Sequence, residues 1–432
     1  MSYSCQHCDY RSVKWMGFCP QCRTNQPLTE APPPGLAHPS QPVPLTEITD
    51  TEEARRSTGL AEFDRLLGGG LVEGSAILLG GEPGIGKSTL LLQVAASLTD
   101  QDGIVLMASA EESSSQIALR ARRLQIKNEN LWLLAEPDVD RIIAAARSIR
   151  PHLLVVDSIQ TVTGDGVEGS AGGPAQMREA VARLLRYAKS ERVAVVLIGH
   201  VTKDGSLAGP KLVEHMVDVV LSFEGDPDQG LRALRSQKNR FGAGHLVAMF
   251  DMTGEGLREV TDPSRLFMGG WQQEVPGTVA FPAVDGRRAI LVEVQALAVP
   301  STLSQPRRSV RGVDPLRVNQ LLAVLHRRAS LPAGGLDIYL NLVGGWRIDE
   351  PAADLAIALS LVSAIADRPL GSVAAWGEVG LTGEVRAVPF HQRRFEEARR
   401  LGVENLVAAP SDGDLWPGVS DLAAALLRAG IP

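Results

Sequence analysis

Two clusters and a few isolated side chains have the types and spacing to do chemistry. The run Gly81-Glu82-Pro83-Gly84-Ile85-Gly86-Lys87-Ser88, continued by Thr89, fits G-x-x-x-x-G-K-[ST] in full. Its glycines let backbone N–H groups curl around a phosphate chain without Cβ clashes. Lys87 has the reach for β and γ phosphates, and the Ser88 hydroxyl suits Mg²⁺. The second cluster is Cys5-x2-Cys8, ten residues, then Cys19-x2-Cys22. Two such knuckles can supply four thiolates to one tetrahedral Zn²⁺. The competing reading is two reactive thiol pairs. A segment of about 28 residues is too short to bury a core of its own, so a metal would supply its folding energy.

The elements that must position these groups are legible around them. Ala76 to Leu79 is an apolar run before the glycine loop, and Thr89 to Leu98 is a helical pattern after it. A loop between a strand and a helix is the context that confirms phosphate binding, and the helix N-terminus adds the positive end of its dipole. Further strands are expected at Ile104 to Ala108, Leu131 to Leu134, Leu153 to Asp157 and Val193 to Gly199. Helices alternate with them, which predicts a mostly parallel, doubly wound α/β sheet. Ligands of such sheets sit at the carboxyl ends of strands.

The isolated candidates fall at those ends. Asp157 closes Leu153-Leu-Val-Val-Asp157 and would hold the Mg²⁺ shell. Glu111 is read as the general base for an attacking water, against a helix-start carboxylate that only complements the dipole. His200 either senses the γ-phosphate or is structural. Lys238 and Arg240 lie two apart at the end of a strand-like run, and could reach a neighbouring subunit's γ-phosphate as an arginine finger does. The polar, Gly-rich segments Thr163 to Gln176 and Thr202 to Lys211 look mobile and available for contacts.

Bulk properties set the limits. The chain has 432 residues, 44% hydrophobic and 22% charged, with a net charge of −7. No global basic field exists, so any nucleic-acid site must be a local patch. All four Cys lie in the first 22 residues, which argues for one small metal site over an exported disulfide fold. No apolar run has membrane-spanning length, so a cytoplasmic protein with no membrane partner is expected. Pro27 to Pro44 holds seven prolines and reads as a tether. The expected organisation is 1–28 zinc module, 29–45 linker, 46–266 ATPase core and 270–432 a second domain with antiparallel-looking strands.

The motif order, with Ser109-Ala-Glu-Glu-Ser113, Val155-Val-Asp-Ser-Ile-Gln-Thr161, Gly199 to Lys211 and Lys238-Asn-Arg-Phe-Gly242, resembles the bacterial RadA (Sms) family of DNA repair ATPases across nearly the whole chain. The resemblance implies a RecA-like P-loop ATPase core and a hexameric ring. It implies DNA-dependent ATP hydrolysis, and branch migration on single-stranded and branched DNA alongside RecA. Lys238 and Arg240 match the family motif that couples ATP to DNA work. Residues 270–432 resemble the Lon protease domain, with an α+β fold. Lon-type proteolysis needs a Ser–Lys pair. Ala352 stands where Lon carries Ser, and no Lys follows Lys238, so no peptidase activity is expected. The rival readings are a nucleotide-gated DNA or RNA scaffold that does not translocate, and an ATP-dependent protease.

Overall fold

A computed structural model describes residues 2–5, 11–12, 14–20, 22, 24–31, 44, 55–167, 169–170, 172–200, 212–225, 230–271, 274–286, 288–343, 347–410 and 418–431. The segment Thr202 to Lys211, Cys8 and most of the Pro-rich stretch lie outside them. The chain forms two units, Met1–Glu53 and Ala54–Pro432. In the first, strands Ser2–Ser4, Arg11–Ser12 and Thr29–Ala31 make an antiparallel sheet beside buried Cys5, Cys19 and Leu28.

The second unit is built on a nine-stranded sheet. Its members are β1 (Ala76–Gly81), β2 (Val105–Ser109), β3 (Leu131–Ala135), β4 (Leu153–Asp157), β5 (Ala194–His200), β6 (Val219–Glu224), β7 (Leu231–Asn239), β8 (Val247–Thr253) and β9 (Gly256–Val260). The order is β9-β8-β7-β6-β1-β5-β4-β2-β3. From β6 to β3 all neighbours are parallel, and β7, β8 and β9 extend the sheet antiparallel. This is the expected P-loop α/β core, RecA-like, with an antiparallel wing added.

The helices explain the uninterrupted apolar strands. They are α1 (Lys87–Asp100), α2 (Ser114–Arg123), α3 (Val139–Ile149) and α4 (Pro174–Glu191). Ile77 and Leu79 of β1 pack with Leu90, Leu91 and Val94 of α1 on one face. Ala76 and Leu78 pack with Ile142 of α3 and Leu184 of α4 on the other. A strand covered on both faces has no polar side to alternate with. Residues 164–167 of the Gly-rich segment before α4 are tied down. Gln176 accepts the Gly164 N–H at 2.9 Å and donates to the Val167 carbonyl at 2.6 Å, while Arg183 donates to the Asp165 carbonyl.

The C-terminal sheet contains β10 (Thr278–Asp285), β11 (Arg288–Pro300), β12 (Arg308–Arg311), β13 (Leu336–Leu342), β14 (Val373–Trp376) and β15 (Asn405–Ala408). Its order is β12-β13-β11-β10-β14-β15. It is mixed, not antiparallel. β10, β11 and β13 pair antiparallel, while β12, β14 and β15 join parallel through helical or loop crossovers too long for hairpins. The helix Asp354–Ala366 is buried almost all round and forms the centre of this core. Val247, Met249 and Phe267 from the N-terminal side belong to the same core, so the two sheets are continuous in packing. Ion pairs Arg288–Glu62 at 3.1 Å and Arg400–Asp262 at 2.7 Å line that junction.

One buried cation holds the C-terminal sheet to its helices. Arg394, 1% exposed, donates to the Pro282 carbonyl at 2.6 Å, the Pro389 carbonyl at 3.2 Å and Glu350 at 2.5 Å. Glu350 also accepts the Val284 N–H. Removing one partner of a buried pair strands the other charge. Glu350→Ala should destabilise the protein by about 3 kcal/mol, read as a lowered thermal-unfolding midpoint. A joint Glu350→Met, Arg394→Met variant should recover most of the loss, and an unchanged midpoint in Glu350→Ala would refute this account.

Candidate nucleotide site

The phosphate loop leaves the end of β1 and enters α1 directly. Gly86 caps α1 with φ at 118°, a left-handed conformation that suits glycine, and a Cβ there would meet Met252 at 2.7 Å. Gly81 has the same constraint from the Phe223 carbonyl, also 2.7 Å from an added Cβ. Ile85 is buried beneath the loop and its N–H bonds the Glu82 carbonyl at 3.3 Å. Pro83, Gly84, Gly86, Lys87, Ser88 and Thr89 line a cleft of about 350 Å³.

Lys87 is 5% exposed, and its Nζ donates to the carbonyls of Gly81 at 2.8 Å and Glu82 at 2.9 Å. Burial pulls its pKa down from 10.5 to about 8, with Asp157, Glu111 and Glu82 offsetting part of the effect. Ser88 Oγ donates to Asp157 Oδ2 at 2.7 Å. Desolvation raises the Asp157 pKa, and the Ser88 hydrogen bond opposes it. A hydroxyl and a carboxylate oxygen this close, both facing the cleft, are the hard oxygen donors that Mg²⁺ takes alongside phosphates.

Glu111 follows β2 by two residues. Its carboxylate accepts from Ser158 Oγ and lies 3.4 Å from His200 Nε2. His200 Nδ1 is 3.4 Å from Lys87 Nζ. One tautomer satisfies both contacts, with the ammonium donating to Nδ1 and Nε2–H facing Glu111. Glu112 lines the same cleft but is held in a two-bond pair with Arg120 at 2.9 and 2.6 Å. Ser109 Oγ accepts the N–H of Glu111 and of Glu112, which fixes the turn that separates the two carboxylates.

Sequence reasoning missed four contributors: Ser109, Ser158, Arg120 and Arg123. The two arginines line the cleft from α2. They are three apart on one helix, hence on one face, and that spacing was the available signal.

Lys238 and Arg240 are not part of this cleft. Lys238 Nζ donates to the carbonyls of Glu214, His215 and Val217 at 3.1, 3.1 and 2.7 Å, at the end of the helix Leu212–Met216. Burial, then Arg240, lower the Lys238 pKa. Arg240 pairs at 3.2 Å with Asp218, a buried carboxylate that also takes Lys189 at 3.0 Å and the Ala76 N–H at 3.1 Å. Ala76 begins β1 and Gly81 ends it. Both cations therefore sit at the opposite end of the sheet from their own phosphate loop, about 16 Å of strand away.

In the N-terminal unit, Cys5, Cys19 and Cys22 have sulfurs within 4.8 Å of one another, and Cys5 and Cys22 are 3.7 Å apart. Zinc with Zn–S bonds of about 2.3 Å holds tetrahedral sulfurs roughly 3.8 Å apart, so this donor set fits it.

Fold and site together define a P-loop nucleotide-binding protein. A family model described as an AAA domain matches residues 41–206. DNA repair protein RadA of Bacillus subtilis is 43% identical, over 98% of this chain and 97% of that protein. RadA of Pseudomonas aeruginosa is 44% identical over 94% of this chain and 92% of its own length. RadA of Escherichia coli is 43% identical over 94% and 92%. The crystal structure of the RadB recombinase aligns with 47% of this chain and 99% of its own, at 25% identity and a TM-score of 0.39, too low to carry weight. At these identities over nearly the full length, the chain belongs to the RadA family.

The lowered Lys87 pKa has a measurable sign. Phosphate charge favours the ammonium, so a bound triphosphate raises this pKa above its free value of about 8. Binding should take up a proton at pH 9 and almost none through Lys87 at pH 7. Affinity should fall as pH rises above 8. Calorimetry of a non-hydrolysable ATP analogue with Mg²⁺, in two buffers of different ionisation enthalpy, reads the uptake. It should vanish in Lys87→Arg, and its absence at pH 9 in the parent would refute the reading.

Proposed function

We propose that the protein is an ATP-driven ring motor on DNA, acting in recombination and repair and promoting branch migration of recombination intermediates alongside RecA. The observation that carries this reading is the separation of Lys238 and Arg240 from their own phosphate loop. A finger that cannot reach its own nucleotide is useful only to a neighbour, which calls for a closed ring of identical subunits, hexameric by family resemblance.

ATP with Mg²⁺ would occupy the cleft at Gly81 to Thr89. Ser88 and Asp157 would hold the ion, which supplies charge neutralisation for the phosphates. Lys87 would leave its loop carbonyls for the phosphate oxygens. Glu111 would take the proton of the attacking water, with Ser158 and His200 orienting its carboxylate. His200, between Lys87 and Glu111, is placed to respond to the γ-phosphate. Lys238 and Arg240 would complete the site of the adjacent subunit.

Cys5, Cys8, Cys19 and Cys22 would hold Zn²⁺ in the N-terminal module. The region 270–432 would serve assembly as a Lon-like domain without peptidase activity. Ala352, which the Lon resemblance would set where that domain carries its serine, is buried. Arg308 is occupied by the carbonyls of Ala333 and Leu336, which leaves Arg307 and Arg311 exposed, either as a solvated basic loop or as a patch available to DNA. Among the described residues no helix is long and apolar enough to cross a membrane.

The decisive measurement mixes defects. Lys87→Ala should abolish ATP turnover. Arg240→Ala should bind ATP but lose DNA-stimulated hydrolysis. A mixture of the two inactive variants should regain a fraction of turnover, because a sound phosphate loop can meet a sound finger only at a mixed interface. Full activity in Arg240→Ala alone, or DNA stimulation of separated monomers, would overturn the trans reading.

A further inference from the structure

A second cleft opens at the strand-start end of the ATPase sheet, away from the phosphate loop. It has a volume of about 280 Å³ and lies where the ends of α3 and α4 meet residues that begin β4 and β5. Leu71, Leu98, Ala146 and Val193 give it an apolar floor.

The polar lining is dominated by donors. Arg147 pairs with Glu191 at 3.2 Å, and Arg192 with Glu73 at 3.3 Å, all four at the rim. Arg56 and Arg150 also line the cleft and have no carboxylate partner among the described residues. Four arginines therefore face two glutamates. His152 Nδ1 accepts the Ile104 N–H at 3.0 Å, so the neutral ring carries its proton on Nε2 and is a further donor.

Helix C-termini attract cations, and that accounts for some of the arginines at the ends of α3 and α4. It does not account for Tyr187. This side chain is 2% exposed, lines the same cleft, and its hydroxyl has no hydrogen-bond partner among the described residues. That hydroxyl is sealed from solvent in this structure; left unpaired it is costly, and a small turn of the Tyr187 side chain toward the cleft would let a ligand oxygen satisfy it.

We propose that this cleft binds a small phosphomonoester of mononucleotide size, its phosphate on Arg56 and Arg150 and an oxygen within reach of the Tyr187 hydroxyl. A phosphomonoester supplies the acceptor-rich dianion that a donor-rich pocket lacks. The volume lies just below the usual range for ligand sites, so it would take no more than a mononucleotide with part of it left in solvent. The site is separate from the ATP cleft and independent of the ring mechanism.

Equilibrium dialysis of the full chain with radiolabelled AMP tests it, with the phosphate loop saturated by a non-hydrolysable ATP analogue and Mg²⁺. One AMP per chain should bind, displaced by inorganic phosphate but not by adenosine. Arg56→Gln should weaken binding roughly tenfold or more, and Tyr187→Phe by roughly threefold to tenfold without lowering the melting temperature. Three results would each overturn the proposal: no AMP bound beyond the filled ATP site, binding displaced by more ATP analogue, or binding indifferent to both substitutions. Competition by a 5′-phosphorylated oligonucleotide as strong as that by AMP would overturn the assignment to a small metabolite.

Discussion

Parallel strands have a polarity, and it governs this molecule. Six strands from β6 to β3 point the same way, so all their carboxyl ends lie on one edge of the sheet. Lys87, Ser88, Asp157, Glu111 and His200 all come from that edge. β7 runs antiparallel to β6, so its C-terminal residues fall on the other edge. The chain cannot place Lys238 and Arg240 in its own cleft without reversing that strand. Geometry therefore divides the charged residues into a set that shares one cleft and a set that cannot.

The cleft depends on keeping a cation dry. Lys87 is buried beneath its own loop, where two carbonyls accept its protons and His200 Nδ1 lies 3.4 Å from its Nζ. The nearby carboxylates of Asp157, Glu111 and Glu82 offset only part of the desolvation, which explains the direction of the pKa shift. Asp157 shows the converse shift for the same reason. Two oppositely charged groups, both pushed toward neutrality by burial, are poised for ligands that restore charge to each. A polyphosphate does so for Lys87 and a divalent cation for Asp157.

What could be read in the sequence was whatever chemistry is local. The phosphate loop, the Cys knuckles and the apolar strand ending in Asp157 are contiguous patterns fixed by backbone geometry. Glu111 and Glu112 are adjacent and alike in sequence. Only the fold separates them, by sending Glu112 to Arg120 and Glu111 to Ser158 and His200. Asp218 was illegible because its importance comes from partners 22, 29 and 142 residues distant. The C-terminal sheet was misjudged for a related reason. β12, β14 and β15 are four residues each, too short for a pattern to reveal direction, and their parallel pairing is decided by crossovers.

Asp218 links the two edges in one further respect. It holds Arg240, Lys189 and the first amide of β1, so Arg240 is tied to the strand that carries the phosphate loop. Lys238 is tied to the end of the helix Leu212–Met216. Neither cation is free in the isolated chain, and each must exchange a partner to serve a neighbour. For Arg240 that exchange leaves Asp218 with Lys189 still in place, so its charge stays compensated and the release is inexpensive. For Lys238 it strips three carbonyls at a helix C-terminus of their donor, and the helix end must then find another. In the proposed ring, a motion of Lys238 toward a nucleotide would thus be felt by the helix that follows the segment Thr202 to Lys211, whereas a motion of Arg240 would be absorbed by Lys189. The two cations, close in sequence, carry different mechanical consequences.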